Sequence, residues 1–475
     1  MEQSFFLTRV LGALAKGGDT VLFHRDGTDT TYLDALAMLR RLHAALDVTA
    51  ADVVAIVGGN RPETILVQLA AQLRGATVLL VATSSSLPDR RAAVAAAGVT
   101  VLVVDPDREP SELTSARVFA LPDLLVQQED QPITLPGSVK LIFPTGGTTG
   151  APKLIGHSGI YDGMAHIFAP DPLGPHRTLL VAPMSHMTGN ATVLGALLRG
   201  DTVVLHEGFD AGAVLRAISS HRITTLSLTP ARLAAVLDHP ALDATDLSSM
   251  RSLSLGASPL SARRLQQALD AFGPVVGQGY GLTEAPMIAS ISAVELLGRP
   301  DRLESVGRIV PGMEARIEDG EVVVRGLSMM DGYVGAPAMG DGWLHTGDIG
   351  RFDDEGYLYL LDRANDVIIT GEHGTKVYSN VVENALVTHP LVRAAAVIGV
   401  PGADGELVHA FVVPSTQDTL TVSDVQAHAL ATFGGPHFVP SSVDFVDALP
   451  LTPIGKVDKL ALRTPFWSGH TRHIA

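Results

Sequence analysis

From residue 31 onward, short unbroken apolar runs alternate with stretches of helical spacing, and this limits the possible folds more than any other feature of the 475-residue chain. Residues 52–57, closing on Gly58-Gly59, read as a buried strand, as do residues 77–81 and 101–104. Between them lie helical patterns. Residues 31–46 space Leu33, Leu36, Leu39 and Leu42 among alanines. Residues 62–74 put Ile65, Leu66, Leu69 and Leu73 on one face and end on Gly75 as a cap, and residues 88–97 form another helix. Strand–helix–strand order implies right-handed crossovers and a largely parallel sheet. The pattern resumes with strands at 179–182, 202–205, 225–228 and 252–255 and helices at 211–220 and 261–272, a second α/β array without sequence repetition of the first. Residues 111–135 carry prolines and acids with little pattern and read as a surface connection.

Past Ser305 the texture changes. Residues 314–317 and 321–325 are short strands joined by Asp319-Gly320, a hairpin signal, and 356–361 is another strand. From Asp366 onward, strands at 394–400 and 409–413 and helices at 380–387 and 422–432 suit a compact α+β module. The expectation is an α/β protein of two units, a large one over 1–364 and a small one over 365–475. A hydrophobic content of 46% suffices for sizeable cores. The formal charge of −16 argues against non-specific nucleic-acid binding, which needs a basic face. No cysteine occurs, which excludes disulfides, thiolate zinc sites and a cysteine nucleophile. The first residues lack a basic segment and no run of 18 apolar residues occurs, so a cytoplasmic protein without membrane attachment is expected.

One stretch points to chemistry: Phe143-Pro-Thr-Gly-Gly-Thr-Thr-Gly-Ala-Pro-Lys153. It follows a strand that Pro144, having no N–H, is expected to end. Thr145, Gly146, Gly147, Thr148, Thr149 and Gly150 can turn backbone N–H groups and hydroxyls onto an anion, and Lys153 adds positive charge. The loop is not a Walker A motif, because Leu154 follows the lysine. By itself it reads equally well as a solvated turn between strands.

Five further segments bear on that choice. His186, in Ala-Pro-Met-Ser-His-Met-Thr-Gly-Asn, follows a strand, where open α/β sheets bind ligands; taken alone, a satisfied loop histidine is the commoner case. Residues 277–285 (Gly-Gln-Gly-Tyr-Gly-Leu-Thr-Glu-Ala) offer Tyr280 to stack on a base and Glu284 to hold magnesium, or simply a tight turn around a buried tyrosine. Asp348, in Gly-Trp-Leu-His-Thr-Gly-Asp, suits a ribose diol or an Asx turn. Asp362-Arg363 offers a second ribose contact or a surface ion pair. Lys456, in Pro-Leu-Thr-Pro-Ile-Gly-Lys, is an active lysine or a solvated one.

In this order and wording the segments resemble the adenylate-forming superfamily of acyl-CoA synthetases, peptide-synthetase adenylation domains and beetle luciferases, over residues 31–463. The resemblance implies a large N-terminal domain of stacked α/β subdomains and a small mobile C-terminal domain. It makes residues 145–153 a phosphate loop and Tyr280 the adenine-stacking aromatic. Thr283 and Glu284 become the α-phosphate and magnesium contacts, and Asp348 and Arg363 the ribose ligands. Lys456 matches the lysine that bridges ATP and the carboxylate substrate. The implied reaction is ATP-dependent activation of a carboxylic acid to an acyl-adenylate with loss of pyrophosphate. Transfer to a thiol, CoA or carrier-protein phosphopantetheine, follows after rotation of the small domain.

Some positions depart from the family pattern. The hinge position, usually Asp or Lys, is Asn365, and Ser379 and Val381 stand where proline and glutamate are frequent. Residues 370–379 run about two residues longer than the common form, which leaves the thiol open. No acid lies between residues 184 and 192 to pair with an α-ammonium, so a simple carboxylic acid is favoured over an amino acid. His186, Met187, Gly256 and Ala257, with Gly279, Gly281 and Met287, are expected to line the acyl pocket. Their small size and single polar group favour an aryl or cyclic acid over a fatty chain. Met187 replaces the asparagine of dihydroxybenzoate-activating relatives, and Gly146-Gly147 resembles aryl-acid members. A medium- or long-chain fatty acid ligase, a stand-alone adenylation enzyme serving a carrier protein, a luciferase-like oxidase and an inactive nucleotide-binding relative are the alternatives. The chain is expected to be a monomer or homodimer.

Overall fold

The computed structural model describes residues 3–105, 113, 116–126, 131–145, 153–337, 342–371, 373–403, 405–415, 420–452 and 455–469. Within them two large sheets and a smaller C-terminal one carry the architecture. The first sheet has the order Gly332–Tyr333, Lys153–His157, Lys140–Thr145, Thr77–Val81, Val53–Val57, Val101–Val104, Arg117–Ala120. Its central pairs are parallel, as strand–helix alternation requires. The second sheet runs parallel from Val21–Arg25 through Thr202–Leu205, Arg177–Leu180, Thr225–Leu228 and Ser252–Gly256 to Val276–Tyr280. It then continues antiparallel through Ala289–Ile291, Ser305–Ile309, Leu358–Arg363 and Leu344–Phe352 into the hairpin of Met313–Glu318 and Glu321–Gly326. That hairpin turns where the sequence places it, with Asp319 at φ +49° and Gly320 at φ +90°.

Helices Pro62–Leu73 and Met187–Arg199 belong to one apolar core that draws on strands of both sheets. The alternation of residues 62–74 reads as one apolar face, yet every residue of Pro62–Leu73 except Glu63 is buried. A helix enclosed between layers has no solvent face, and its polar groups must be met inside. Gln68 accordingly accepts from the Asn190 amide at 2.7 Å, and Tyr161 donates to the Asn190 carbonyl at 2.8 Å.

Two sequence expectations are corrected. Residues 111–135 are not only a connection: Arg117–Ala120 pairs in parallel with Val101–Val104 at the sheet edge. An edge strand with one partner needs little apolar alternation to form, so its signal is weak. Pro144 does not end its strand, which runs to Thr145 beside Lys153–His157 with Pro144 opposite Leu154. Its other neighbour, Thr77–Val81, has no partner past Ile142, so the strand is an edge there and tolerates a residue without a donor. The chain before Tyr32 holds helix Phe5–Gly17 and strands Val21–Arg25 and Thr28–Thr31, and the two strands complete the second sheet.

The C-terminal unit packs helices Ser379–Leu386, Val422–Phe433 and Lys459–Trp467 with the three-stranded sheet Val392–Gly402, Gly405–Pro414, Ser442–Phe445. It follows a single turn of 3₁₀ helix, Ala364–Asp366, that contains Asn365. Among the described residues no helix is long and apolar enough to cross a membrane.

Candidate active site

The site is built where strands end. Strand Val276–Tyr280 delivers Tyr280, a residue only 7% exposed whose hydroxyl donates to Asp348 Oδ2 at 2.5 Å. Burial pushes the Tyr280 phenol up, and the charge of Asp348 adds to the effect. Asp348 lies within the long strand Leu344–Phe352, in register with Arg363 on Leu358–Arg363. The cross-strand pair places Arg363 Nε 3.0 Å from Asp348 Oδ1, while Arg363 Nη1 donates to the Thr346 carbonyl at 3.2 Å. Burial raises the Asp348 pKa, opposed by Arg363 and the Tyr280 hydrogen bond. Two residues far apart in sequence thus share one buried carboxylate.

Thr283 and Glu284 sit in the turn after Tyr280. The Thr283 carbonyl accepts from His157 Nε2 at 2.7 Å, Glu284 Oε1 accepts from the Tyr333 hydroxyl at 3.0 Å, and the Glu284 carbonyl accepts from Met330 N at 2.7 Å. Lys153 Nζ lies 5.2 Å from the Tyr333 ring centroid. Thr145 donates from its hydroxyl to the Lys153 carbonyl at 3.4 Å. Gly146, Gly147, Thr148, Thr149 and Gly150 lie outside the described residues.

Lys456 arrives from the C-terminal unit. Burial lowers its pKa, and Arg363 lowers it further, while Asp348 and Glu284 pull it back up. No carboxylate lies within ion-pair distance of its ammonium among the described residues. The preceding Gly455, at φ +79°, packs against helix Pro230–Leu237: its carbonyl accepts from Thr229 Oγ1 at 3.4 Å, and a Cβ there would lie 3.2 Å from that oxygen and 3.5 Å from Arg232 Nε. A partly buried ammonium that feels the charge of Arg363 and has no carboxylate in ion-pair contact among the described residues suits an anion from outside the protein.

His186 is the N-cap of helix Met187–Arg199. Its pKa is pushed down to about 4 by burial, then by the charges of Lys456 and Arg232, and its Nε2 is buried with no partner among the described residues. Met187 is buried, whereas Met287 is 47% exposed. Gly256 ends strand Ser252–Gly256 so close to its neighbour that a Cβ would meet the Gly279 carbonyl at 2.7 Å. Ala257, exposed, follows at φ +72°, where a side chain is strained, and turns the chain at the strand's carboxyl end. Gly279 sits 3.9 Å, at its virtual Cβ, from Met287 Sδ, and Gly281 follows Tyr280.

Tyr333, His157 and Arg232 are the participants that motif reasoning passed over. Arg232 donates to the Val181 carbonyl at 3.3 Å and lies 5.3 Å from the Phe209 ring centroid. The aromatic next to a glycine in Asp331-Gly-Tyr333 was the one signal for Tyr333; nothing in the sequence near His157 or Arg232 marks either.

The uncompensated Lys456 suits a phosphate or carboxylate oxygen. Among the described residues no group of three or more His, Asp or Glu is arranged to hold a metal. Magnesium manages with one or two carboxylates when phosphates supply the rest, and Glu284 fits that requirement.

The chain is similar to known proteins over most of its length. The sequence family described as AMP-binding enzyme matches residues 12–334, and the AMP-binding enzyme C-terminal domain matches residues 381–456. A feruloyl-CoA synthase of Amycolatopsis sp is 34% identical over 473 residues, 93% of this chain and 94% of that protein. The structure of the amide bond synthetase McbA from Marinactinospora thermotolerans superposes with a TM-score of 0.85 at 32% identity, over 97% of this chain and 99% of that one. The o-succinylbenzoate CoA synthetase MenE of Bacillus subtilis, in complex with its acyl-adenylate, gives 0.82 at 25% identity over 100% and 99%.

Proposed function

This chain belongs to the AMP-binding enzyme family, within the adenylate-forming superfamily, and we propose that it joins an aryl or cyclic carboxylic acid to CoA through an acyl-adenylate. It is an ATP-dependent acid–thiol ligase. Curated relatives that are named feruloyl-CoA synthase and 2-succinylbenzoate–CoA ligase support the aryl class, and the absence of an acid between residues 184 and 192 favours a simple carboxylic acid over an amino acid. Carrier-protein phosphopantetheine is the alternative acceptor.

The observation that carries the reading is the buried Asp348 carboxylate shared by the Tyr280 hydroxyl and Arg363, with Lys456 of the C-terminal unit near enough to feel the charges of Arg363, Asp348 and Glu284. A carboxylate is a poor electrophile until its oxygen attacks the α-phosphorus of ATP and pyrophosphate leaves. Negative charge then builds on the non-bridging oxygens, and a fixed cation lowers that barrier most where water is excluded. In this reading Lys456 supplies that cation and orients the acid's carboxylate. Thr283 donates to the α-phosphate, and residues 145–150 with Lys153 cover the β,γ-phosphates. Tyr280 faces the adenine, and Asp348 with Arg363 holds the ribose. Glu284 would hold magnesium, which neutralises phosphate charge. His186, neutral at assay pH, lines the acyl pocket with Met187, Gly256, Ala257, Gly279, Gly281 and Met287 without presenting a like charge to Lys456. The units 1–364 and 365–475 rotate about Asn365 between the half-reactions, withdrawing Lys456 so that the thiol can reach the adenylate.

The test is acid-dependent ATP–pyrophosphate exchange over aryl, alicyclic and fatty acids, followed by product formation with CoA, a phosphopantetheinylated carrier protein and an amine. Exchange with aryl or alicyclic acids and thioester with CoA are expected. Exchange with none of the acids refutes the ligase reading, and exchange confined to fatty acids refutes the substrate class.

A further inference from the structure

Segment 330–334 lies between the two parts of the site that handle phosphate and metal, and nothing in the reaction scheme above uses it. Its backbone is held on both sides. Met330 N donates to the Glu284 carbonyl at 2.7 Å, Asp331 N to the Gly156 carbonyl at 2.8 Å, and Val334 N to the Leu154 carbonyl at 2.9 Å. Gly332 and Tyr333 pair with Gly156 and Ile155 on the strand that follows the phosphate loop. Ser158 adds a side-chain bond, donating to Asp331 Oδ1 at 2.8 Å. The segment therefore splints strand Lys153–His157 to the Thr283-Glu284 turn.

Tyr333 is where the splint meets functional side chains. One end of its ring system, the hydroxyl, donates to Glu284 Oε1 at 3.0 Å; the ring carries the Lys153 ammonium 5.2 Å from its centroid. From the same strand, His157 Nε2 donates to the Thr283 carbonyl at 2.7 Å, which ties the neighbouring residue of the turn to the loop's exit strand. A buried or half-buried side chain placed only for packing would not need both contacts. A carboxylate with one lone pair already engaged is left with a restricted set of directions for a cation, and a lysine held over an aromatic face is restrained from folding back into solvent.

We propose that Tyr333 is a positioning residue: its hydroxyl sets the orientation of the Glu284 carboxylate and its ring that of Lys153, so that metal binding and phosphate binding are coupled through one side chain, with His157 fixing the turn that bears Thr283. This deepens the ligase reading and rests on it, since Glu284 and Lys153 take those roles only if MgATP binds here. The coupling has a direction. Tyr333→Phe keeps the ring under Lys153 and removes only the bond to Glu284, whereas Tyr333→Leu removes both.

Two readouts test it, calorimetric titration of the intact protein with MgATP and the dependence of pyrophosphate exchange on free magnesium. Tyr333→Phe is expected to weaken MgATP binding and raise the half-saturating magnesium concentration by about tenfold each, the size of effect a lost hydrogen bond to a charged group allows. The KM for the acid should be unchanged. Tyr333→Leu is expected to weaken MgATP binding further without a further change in magnesium dependence. Wild-type magnesium dependence in Tyr333→Phe overturns the proposal. So does a uniform loss in MgATP affinity, acid KM and melting temperature, which is what a merely structural role gives. If the wild-type protein itself shows no MgATP binding, the ligase reading fails first, and that outcome is distinct from either.

Discussion

Replacing Ser379 by proline tests how the C-terminal unit is held against the strand that ends at Arg363. Ser379 begins helix Ser379–Leu386, where proline is tolerated, and Tyr378 before it is extended (φ −84°, ψ 115°), as a residue preceding proline prefers. The substitution should therefore fold. What it removes is a latch across the junction between the units. Asp362, 2% exposed at the end of strand Leu358–Arg363, accepts from Ser379 N at 2.5 Å and from Ser379 Oγ at 3.0 Å. Lys459 Nζ donates to Ser379 Oγ at 2.6 Å and pairs with Glu383 at 2.8 Å. Burial raises the Asp362 pKa against the pull of Lys459 and Ser379, so this carboxylate depends on its donors.

Hydrogen bonds to charged groups are worth about 1.5–3 kcal/mol each. In the rotation proposed above, Lys459 stays with Glu383 and water reaches Asp362, so the net loss to the docked arrangement is about 2–3 kcal/mol, a shift of about 30- to 150-fold in its population relative to the rotated one. The assay separates the half-reactions. Pyrophosphate exchange should fall with the docked population, whereas thioester formation from supplied acyl-adenylate should be equal or faster. Ser379→Ala, which keeps the N–H, should lie between. If both half-reactions keep wild-type rates, or fall together, the latch argument is wrong.

Lys456→Ala should lower pyrophosphate exchange at least about a hundredfold, the scale on which loss of one preorganised charge acts, and spare thioester formation from the adenylate; equal loss of both contradicts its role. Asp348→Asn leaves Tyr280 an acceptor but loses the pairing with Arg363, and should raise the KM for ATP about tenfold or more with little change in the acid KM, measured by exchange at varied ATP. For His186, the folded-state pKa of about 4 lies below its ordinary 6.5. Its stabilisation is thus complete above pH 6.5 and is lost as pH falls towards 4, because the unfolded chain takes up the proton first. Melting temperatures of His186→Gln should fall less steeply over that window than those of the wild type, and parallel curves would refute the assignment.

Much of this protein is legible in its residues one segment at a time. Helix or strand is set by periodicity over a few residues, so the runs at 53–57, 77–81, 101–104, 202–205 and 225–228 and the turn at Asp319-Gly320 could be read directly. Tyr280, Glu284, Asp348, Arg363 and Lys456 could also be picked out as candidates, because residue types in order suggest a chemistry for them. Partnership was not legible. Val21–Arg25 enters the second sheet by pairing with Thr202–Leu205, and neither segment's pattern names the other. Arg117–Ala120 is an edge strand only because Val101–Val104 lies beside it. Tyr333 and His157 look ordinary in sequence and gain meaning from the turn they hold. The environment of Lys456 belongs to the tertiary structure alone. A lysine on a Gly-Pro loop near the C-terminus has an ordinary pKa in water; here Gly455 packs on Thr229 and Arg232, and burial with the charge of Arg363 lowers the pKa of Lys456. The sequence determined which groups are present, and long-range packing determined which of them share a dielectric.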